Sequence, residues 1–263
     1  MSIDLINRRD FLTVALAFAL APGRLLAAEQ ASRQAPYSVE IGILYRMLTF
    51  HLEGSVQERV DRAAGRYEFR STGQGDSIAS RMDSVGMLRG GRWTPLRDGS
   101  WGQIHGRESQ SQVAYDHERR RIEYHARGET FFLRRVRVVD DVVAIPDGLH
   151  IDDAFSALLN YRDGRWTPDA DGHLRTHVVR RRRNDNEGPD DVARAYRAEI
   201  VPLELTLAPD PESRKPAASL DLTRFSSWAR TNRPARIVFD EERRPALITG
   251  SLILGTTVAV RLG

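Results

Sequence analysis

Apolar and polar residues alternate with a period of two over most of this 263-residue sequence. In one such run, the apolar side chains of Val201, Leu203 and Leu205 are separated by Pro202 and Glu204. Because successive side chains of a β-strand point to opposite faces, each run predicts a strand with one buried and one wet face. This pattern is typical of antiparallel sheet, since parallel strands covered on both faces read as continuous apolar runs.

Turn residues fall between the alternating runs. Pairs such as Gly90-Gly91 and Asp171-Gly172 supply glycine, which adopts the positive φ that tight turns require. We therefore predict strands near residues 37–45, 47–59, 66–73, 83–90, 92–105, 108–116, 120–127, 130–140, 173–182, 194–207, 219–224, 235–240, 246–254 and 256–262. The alternation breaks near 76–82, where we predict one helical turn.

One segment has the period of an α-helix instead. Residues 152–161 place Phe155, Leu158 and Leu159 at helical spacing, and Asp152 is suited to cap the N-terminus. A lone amphipathic helix in a mostly β chain must bury its apolar stripe against the sheet. The predicted fold is therefore mainly β, a large curved antiparallel sheet with one short helix packed on it.

The composition excludes several classes of protein. The chain has no cysteine, which excludes disulfides, thiolate metal sites and cysteine nucleophiles. Its formal net charge is +3, too small for a strong general attraction to nucleic acid. With 41% hydrophobic residues the chain is too apolar to be wholly disordered, so its stability must come from a core.

The first thirty residues predict an export signal. Arg8 and Arg9 precede Phe11 and Leu12, and a short alanine-rich apolar run follows. This arrangement resembles the bacterial twin-arginine signal, although Thr13 stands where that pattern often carries lysine. An ordinary signal for export of the unfolded chain is the alternative. The export machinery is therefore an expected partner.

The small residues at the end of this run predict cleavage between Ala28 and Glu29. Residues 1–28 would then be removed, and 29–263 would form a single β-rich domain in the periplasm. The apolar run stops at Pro22, about half the length that a helix needs to span a bilayer. We therefore expect the mature protein to be soluble and not membrane-spanning.

Several stretches resemble a bacterial family of exported envelope proteins, domain of unknown function 3108. The most characteristic is Ile151–Leu158, where acidic residues lead into a Ser-Ala-Leu helix. The other stretches that carry the resemblance are Tyr37–Glu58, Gly75–Ala79, Asp83–Gly86, Trp93–Leu96, Val113–Asp116, Ile122–Tyr124, Arg244–Ala246 and Leu254–Thr256. The resemblance implies a half-barrel or open barrel like that of lipoprotein carriers. The family has no accepted activity, so it supplies no catalytic residues.

The histidines do not predict a metal site. His173 and His177 lie four apart on a predicted strand, about 13 Å from each other at about 3.3 Å per residue, too far to share one ion. His150 could place an imidazole beside Asp152, but a loop histidine next to a helix cap is the simpler interpretation. The sequence thus predicts no metal and no cofactor.

No motif indicates catalysis. A Gly-x-Ser-x-Gly elbow, a phosphate-binding loop, a dinucleotide fingerprint and a His-Glu-x-x-His motif are all absent from the sequence. Two arginine runs, 119–121 and 180–183, lie beside acidic residues. We interpret both as solvated hairpin tips, which leaves no predicted nucleic-acid partner.

The functional expectation rests on the geometry of the sheet. One short helix can cover the apolar face of a large sheet only in part, which favours a cavity for a lipid-like or other hydrophobic molecule. Phe155, Leu158 and Leu159 are the expected lining. The first hypothesis is a non-enzymatic periplasmic protein that binds such a ligand or an envelope partner. The alternative is a periplasmic hydrolase or a cofactor-carrying enzyme exported in folded form by the twin-arginine route.

Overall fold

A computed structural model gives the fold of the chain. It describes residues 30–43, 45, 48–130, 133–182, 190–225, 229, 232–252 and 256–263. The predicted export signal, including Arg8, Arg9, Phe11 and Leu12, and the predicted cleavage site at Ala28 and Glu29 lie outside the described residues. Both remain predictions. Within the described part of the chain, no helix combines the length and the apolar character needed to cross a membrane.

The described residues form fourteen β-strands and one α-helix. The strands are β1 (Gln30–Ile43), β2 (Leu48–Asp61), β3 (Arg66–Gly75), β4 (Ile78–Arg89), β5 (Arg92–Ile104), β6 (Arg107–Asp116), β7 (Arg121–Glu129), β8 (Val136–Ala144), β9 (His173–Arg181), β10 (Ala198–Pro209), β11 (Pro216–Leu220), β12 (Ala235–Phe239), β13 (Pro245–Ser251) and β14 (Thr257–Leu262). The helix, α1, spans Ala154–Arg162, and a 3-10 helix spans Leu222–Arg224.

All fourteen strands belong to one antiparallel sheet. The order across the sheet is β8-β7-β6-β5-β4-β3-β2-β1-β14-β13-β12-β11-β10-β9, so the chain runs outward from β1 in one direction and returns from β9 to β14 in the other. The alternation of the sequence appears in this sheet as alternation of burial: Tyr67, Phe69 and Ser71 of β3 are buried, whereas their neighbours are not. The predicted mainly β fold with one short helix is confirmed.

The sheet curls into a nearly closed barrel. The edge strand β8 meets the segment that leads into β10, and we call this contact the seam. At this seam Val139 forms a parallel bridge with Tyr196. Asp141 accepts hydrogen bonds from the Ala198 amide at 2.9 Å and from Arg197 Nη1 at 2.8 Å. Burial alone would raise the pKa of Asp141, but these two donors hold it below its ordinary value.

The helical turn predicted near 76–82 is wrong. Asp76 and Ser77 form a tight turn, and β4 begins at Ile78. Gly75 pairs with Ile78, so the connection has two residues, and Ser77 takes a positive φ of 60° to close it. Residues 78–82, where the sequence pattern predicts a helical turn, are therefore the first residues of β4.

The helix begins one residue later than predicted. Asp153, not Asp152, is the N-cap: its carboxylate accepts from the Ser156 amide, and the Ser156 hydroxyl accepts from the Asp153 amide. These reciprocal bonds satisfy two of the free donors at the helix start. Asp152 points into the protein and contacts other elements instead, which is why it cannot cap.

The helix fills one half of the barrel interior. Leu158 and Leu159 are buried in the main hydrophobic cluster, which also contains Trp93 and Trp166. Asn160 joins α1 to β5, since its side chain accepts from the Trp93 amide at 2.7 Å and donates to the Trp93 carbonyl at 2.8 Å. Side chains of α1 and the sheet thus fill one half of the barrel interior. Fewer side chains fill the other half, which is enclosed by β5–β8.

Candidate internal cavity

A cavity of about 290 Å³ lies between the N-terminal end of α1 and the inner faces of β5–β9. Its wall is built largely from inward-pointing positions, such as Val113, Tyr124, Ala126 and Val139, which are register partners across β6, β7 and β8. The remaining apolar side chains of the lining include Met82, Phe155, Val178, Leu203 and Phe225. The space therefore lies on the inner face of the barrel, and its surface is mostly apolar.

The structure separates the three side chains that were expected to line a ligand site. Phe155 contributes to the cavity wall and stacks on Phe69 with ring centroids 5.1 Å apart. Leu158 and Leu159 face the solid half of the barrel and lie in its core. The difference follows from position on the helix, because Phe155 is in the first turn, which borders the cavity. A ligand role for these residues remains a prediction.

Two carboxyl groups lie on the polar side of the cavity. Asp98 is an inward position of β5, opposite Ser84 of β4, and its Oδ2 accepts from the Tyr115 hydroxyl at 2.6 Å. Asp153, the helix cap, accepts a second hydrogen bond from the Ser84 hydroxyl. Tyr67 lies 3.3 Å from the same hydroxyl. Both acids are thus held by hydroxyl groups at the border between the cavity and the core.

The surroundings raise the pKa of both acids. Burial, and then the charge of Asp153, raise the pKa of Asp98 to about 8, against the hydrogen bond from Tyr115. Burial raises the pKa of Asp153 to about 6, with a contribution from the nearby charge of Asp152 and against the bonds from Ser84 and Ser156. The two groups influence each other, so at neutral pH this end of the cavity does not carry two full negative charges.

A basic group lies on another side of the cavity, next to the seam. Arg180 of β9 points inward, where it forms an ion pair with Glu199 at 2.6 Å and lies 5.9 Å from the centroid of the Phe225 ring. The prediction that 180–183 is a solvated tip is therefore wrong for Arg180, because strand register places it on the inner face beside Val178. Arg119 and Arg120, by contrast, are exposed in the β6–β7 turn, as predicted.

The histidines lie outside the cavity. His173 Nδ1 is 3.0 Å from Glu204, and His177 is on the same strand, β9. His150 lies in the loop before α1, as predicted, and its Nε2 is also 3.2 Å from Asp152 Oδ1. Among the described residues, no group of three or more histidines, aspartates and glutamates is arranged to hold a metal ion.

The inward-pointing acids were not identified from the sequence, because a β-bulge in β5 changes which face of the strand Asp98 occupies. The pairing of β4 with β5 shifts between Val85 and Gly86, so that Val85 pairs with Arg97, Gly86 pairs with Pro95, and Leu96 is the extra residue. The bulge changes which positions of β5 point inward. Three consecutive buried residues, Trp93–Pro95, are followed by two exposed ones, and this break in the alternation is the signal that could have located it.

The fold and cavity define a mainly β protein, a nearly closed antiparallel barrel with one helix inside one half and a small cavity in the other. Among solved structures, the chain is similar to a β-barrel-like protein of domain of unknown function DUF1849 from Brucella abortus, with 10% sequence identity and a TM-score of 0.36. The match covers 88% of this chain and 94% of that one. No family model and no curated protein matches the sequence, so the resemblance to domain of unknown function 3108 is not confirmed.

Proposed function

We propose that this protein is a non-enzymatic binding protein of the bacterial envelope that holds a small hydrophobic or amphiphilic molecule inside its barrel. The observation that carries the proposal is the 290 Å³ cavity, whose surface is mostly apolar although polar and charged residues also line it. Concave, mostly apolar sites with a small number of oriented polar groups are typical of small-molecule binding.

The size of the cavity limits the ligand. Small-molecule sites usually measure about 300–1,000 Å³, so this cavity is at the lower end of that range. A molecule with one short apolar chain fits this volume, whereas a lipid with two or more long chains exceeds it. The proposed ligand is therefore a small single-chain amphiphile.

The seam supplies a route for ligand exchange. The cavity is bordered by Arg137 and Val139 of β8 on one side and by Val178 and Arg180 of β9 on the other. Among the described residues no ladder joins β8 to β9, which stand at opposite ends of the sheet order, and β8 contacts the segment before β10 instead. Separation of the seam would open the cavity without breaking any hairpin.

The periplasmic location belongs to the proposal as well. It rests on the twin-arginine-like segment around Arg8 and Arg9 and on the predicted cleavage after Ala28. An envelope partner, like the ligand, stays a prediction.

A fluorescent dye tests the cavity. N-phenyl-1-naphthylamine, which is uncharged near neutral pH, is expected to bind the wild-type protein with increased fluorescence. The variant Ala126→Trp places a bulky ring between Ser111 and Val139 inside the barrel. We expect it to weaken dye binding at least about tenfold, because the space for the dye is lost and a factor of ten corresponds to only about 1.4 kcal/mol.

The matched control is Glu123→Trp, which adds the same ring to the outer face of β7, where Glu123 is 40% exposed. This variant should bind the dye like the wild type. Extraction of the natively purified protein with organic solvent, followed by mass spectrometry, should also release a small amphiphile. Dye that fails to bind the wild type, or that binds both tryptophan variants equally, would contradict the proposal.

A further inference from the structure

The polar end of the cavity has acidic groups without a matching basic group. Neither Asp98 nor Asp153 forms an ion pair with any basic side chain of the described residues. The neighbouring Asp152 differs, since Arg92 lies 3.0 Å from its Oδ2. Buried carboxyl groups in proteins are normally either paired or protonated, and Asp98, with a pKa of about 8, is mostly protonated at neutral pH. A cation bound beside Asp98 would favour its ionised form, so this unpaired carboxyl group is suited to a basic ligand.

Asp98 is oriented to receive that charge. Its Oδ2 is held by the Tyr115 hydroxyl, while among the described residues its Oδ1 has no hydrogen-bond partner. The side chain is only half-buried, because it borders the cavity. The Tyr115 bond fixes the carboxyl group in place, so that its other oxygen faces space that a ligand can occupy.

The walls beside Asp98 suit a cation with an apolar chain. Tyr124 and Phe155 provide aromatic surface, and Val113 is the register partner of Asp98 on β6. Aromatic rings attract cations through the negative charge of their faces, and more strongly when water is excluded. Tyr124 is the register partner of Val113, so it lies two strands from Asp98 along the same inner face. An amine bound at Asp98 would therefore have Val113 and this aromatic surface for its apolar chain.

The arginines of the lining do not provide an equivalent site for an anion. Arg180 pairs with Glu199 through Nη2, while its Nε and Nη1 are buried without a hydrogen-bond partner among the described residues. Because Glu199 balances the charge of Arg180, an anion bound to these two nitrogens would lie beside a carboxylate. Arg137 donates to the Asp191 carbonyl at 2.8 Å. Arg181 lies 4.8 Å from the centroid of the Tyr196 ring. Arg127 also borders the cavity, but it is at an outward position of β7, opposite the exposed Val138. An anionic ligand would meet the Arg180–Glu199 ion pair, whereas an ammonium ion would meet an unpaired Asp98.

We propose that the ligand of the cavity is a small alkyl amine whose protonated nitrogen binds Asp98 at Oδ1. This inference rests on the proposed function, because it names the chemical class of the molecule that the cavity would hold. The interaction is an ion pair and hydrogen bond between ammonium and carboxylate, so at neutral pH the proton of the neutral Asp98 carboxyl group is released to solvent when the amine binds.

Competition among three eight-carbon compounds tests this proposal. Octylamine, octanol and octanoate carry the same chain and differ in charge, and each is titrated against the bound dye at about pH 9, where Asp98 is mostly ionised and an alkyl ammonium, like lysine, is still mostly protonated. We expect octylamine to displace the dye at a concentration about tenfold or more below that of octanol, the ratio typical of a hydrogen bond to a charged group, with octanoate the weakest.

The variant Asp98→Asn isolates the carboxylate. It keeps the shape of the side chain and an oxygen for Tyr115, so it should bind octanol within about twofold of the wild type while losing the preference for octylamine. The control Asp140→Asn removes an acid that is 77% exposed on the outer face of β8 and should change nothing.

The two proposals fail in different ways. Equal affinity for the three compounds, tightest binding of octanoate, or an unchanged amine preference in Asp98→Asn would overturn the amine proposal while leaving the cavity intact. Absence of dye binding to the wild type would overturn the cavity proposal, and the amine proposal with it.

Discussion

Replacing Asp152 by alanine is expected to lower the free energy of unfolding by about 3–5 kcal/mol, the range found when one partner of a buried charged network is removed. The Asp152 side chain is fully buried. Its Oδ2 accepts from Thr176 at 2.6 Å and from Arg92 at 3.0 Å. Its Oδ1 accepts from Ser156 at 2.8 Å and from Asn160 at 2.9 Å. Alanine would remove this acceptor from all four donors and leave the buried Thr176 hydroxyl and the partly buried Arg92 charge without it, while Asn160 keeps its bond to the Trp93 carbonyl.

This network joins three parts of the fold, because Arg92 is on β5, Thr176 on β9 and Asn160 on α1. Urea unfolding followed by circular dichroism measures the loss. The control Asp171→Ala removes an exposed acid from the turn before β9 and should change stability by less than about 0.5 kcal/mol. Asp152 would not be the centre of the network if its alanine variant were as stable as this control.

Replacing Asp98 by asparagine is expected to alter how stability depends on pH. The pKa of Asp98 is about 8 in the folded protein and near its ordinary value of 3.8 in the unfolded chain. The folded state therefore binds more protons between these values, and stability falls as pH rises from about 4 to about 8. Asp153, with a pKa of about 6, adds to the same fall over the lower part of that window.

Asparagine cannot ionise, so the Asp98→Asn variant should lose the larger part of this dependence. We expect it to resemble the wild type near pH 4 and to exceed it by about 2–4 kcal/mol at pH 9, since each unit of pKa shift is worth about 1.4 kcal/mol and access from the cavity reduces the full effect. Urea unfolding across this pH range measures the difference. Asp140→Asn should follow the wild-type profile, and parallel profiles for Asp98→Asn and the wild type would show that the carboxyl group is not perturbed.

Much of the fold could be predicted because alternation is a local property. Each of the fourteen strands overlaps a predicted one, and Phe155 and Leu158 are buried on the predicted helix. The errors arose where tertiary contacts decide between local alternatives. Asp152 and Asp153 are equally suited to cap a helix by type, and only the donors from Thr176 and Arg92 take Asp152 away from that role.

The candidate site was harder to predict than the fold. Whether a sheet leaves a cavity depends on how far it closes, and closure here depends on contacts between Asp141 and Ala198, 57 residues apart. The inward position of Asp98 depends on the bulge at Leu96. Neither the closure of the barrel nor the bulge produces a periodic pattern of apolar residues in the sequence. The expectation of a partly covered apolar interior came from the ratio of sheet to helix, which is a property of the whole chain.

Crystallography with a brominated ligand tests the central claim most directly. 8-Bromo-octanol carries no charge, so its binding does not depend on the interaction proposed for Asp98. We expect an anomalous bromine peak inside the barrel, among Val139, Phe155 and Leu203. A peak on the outer surface, or a barrel interior filled by its own side chains with no bromine, would contradict the account.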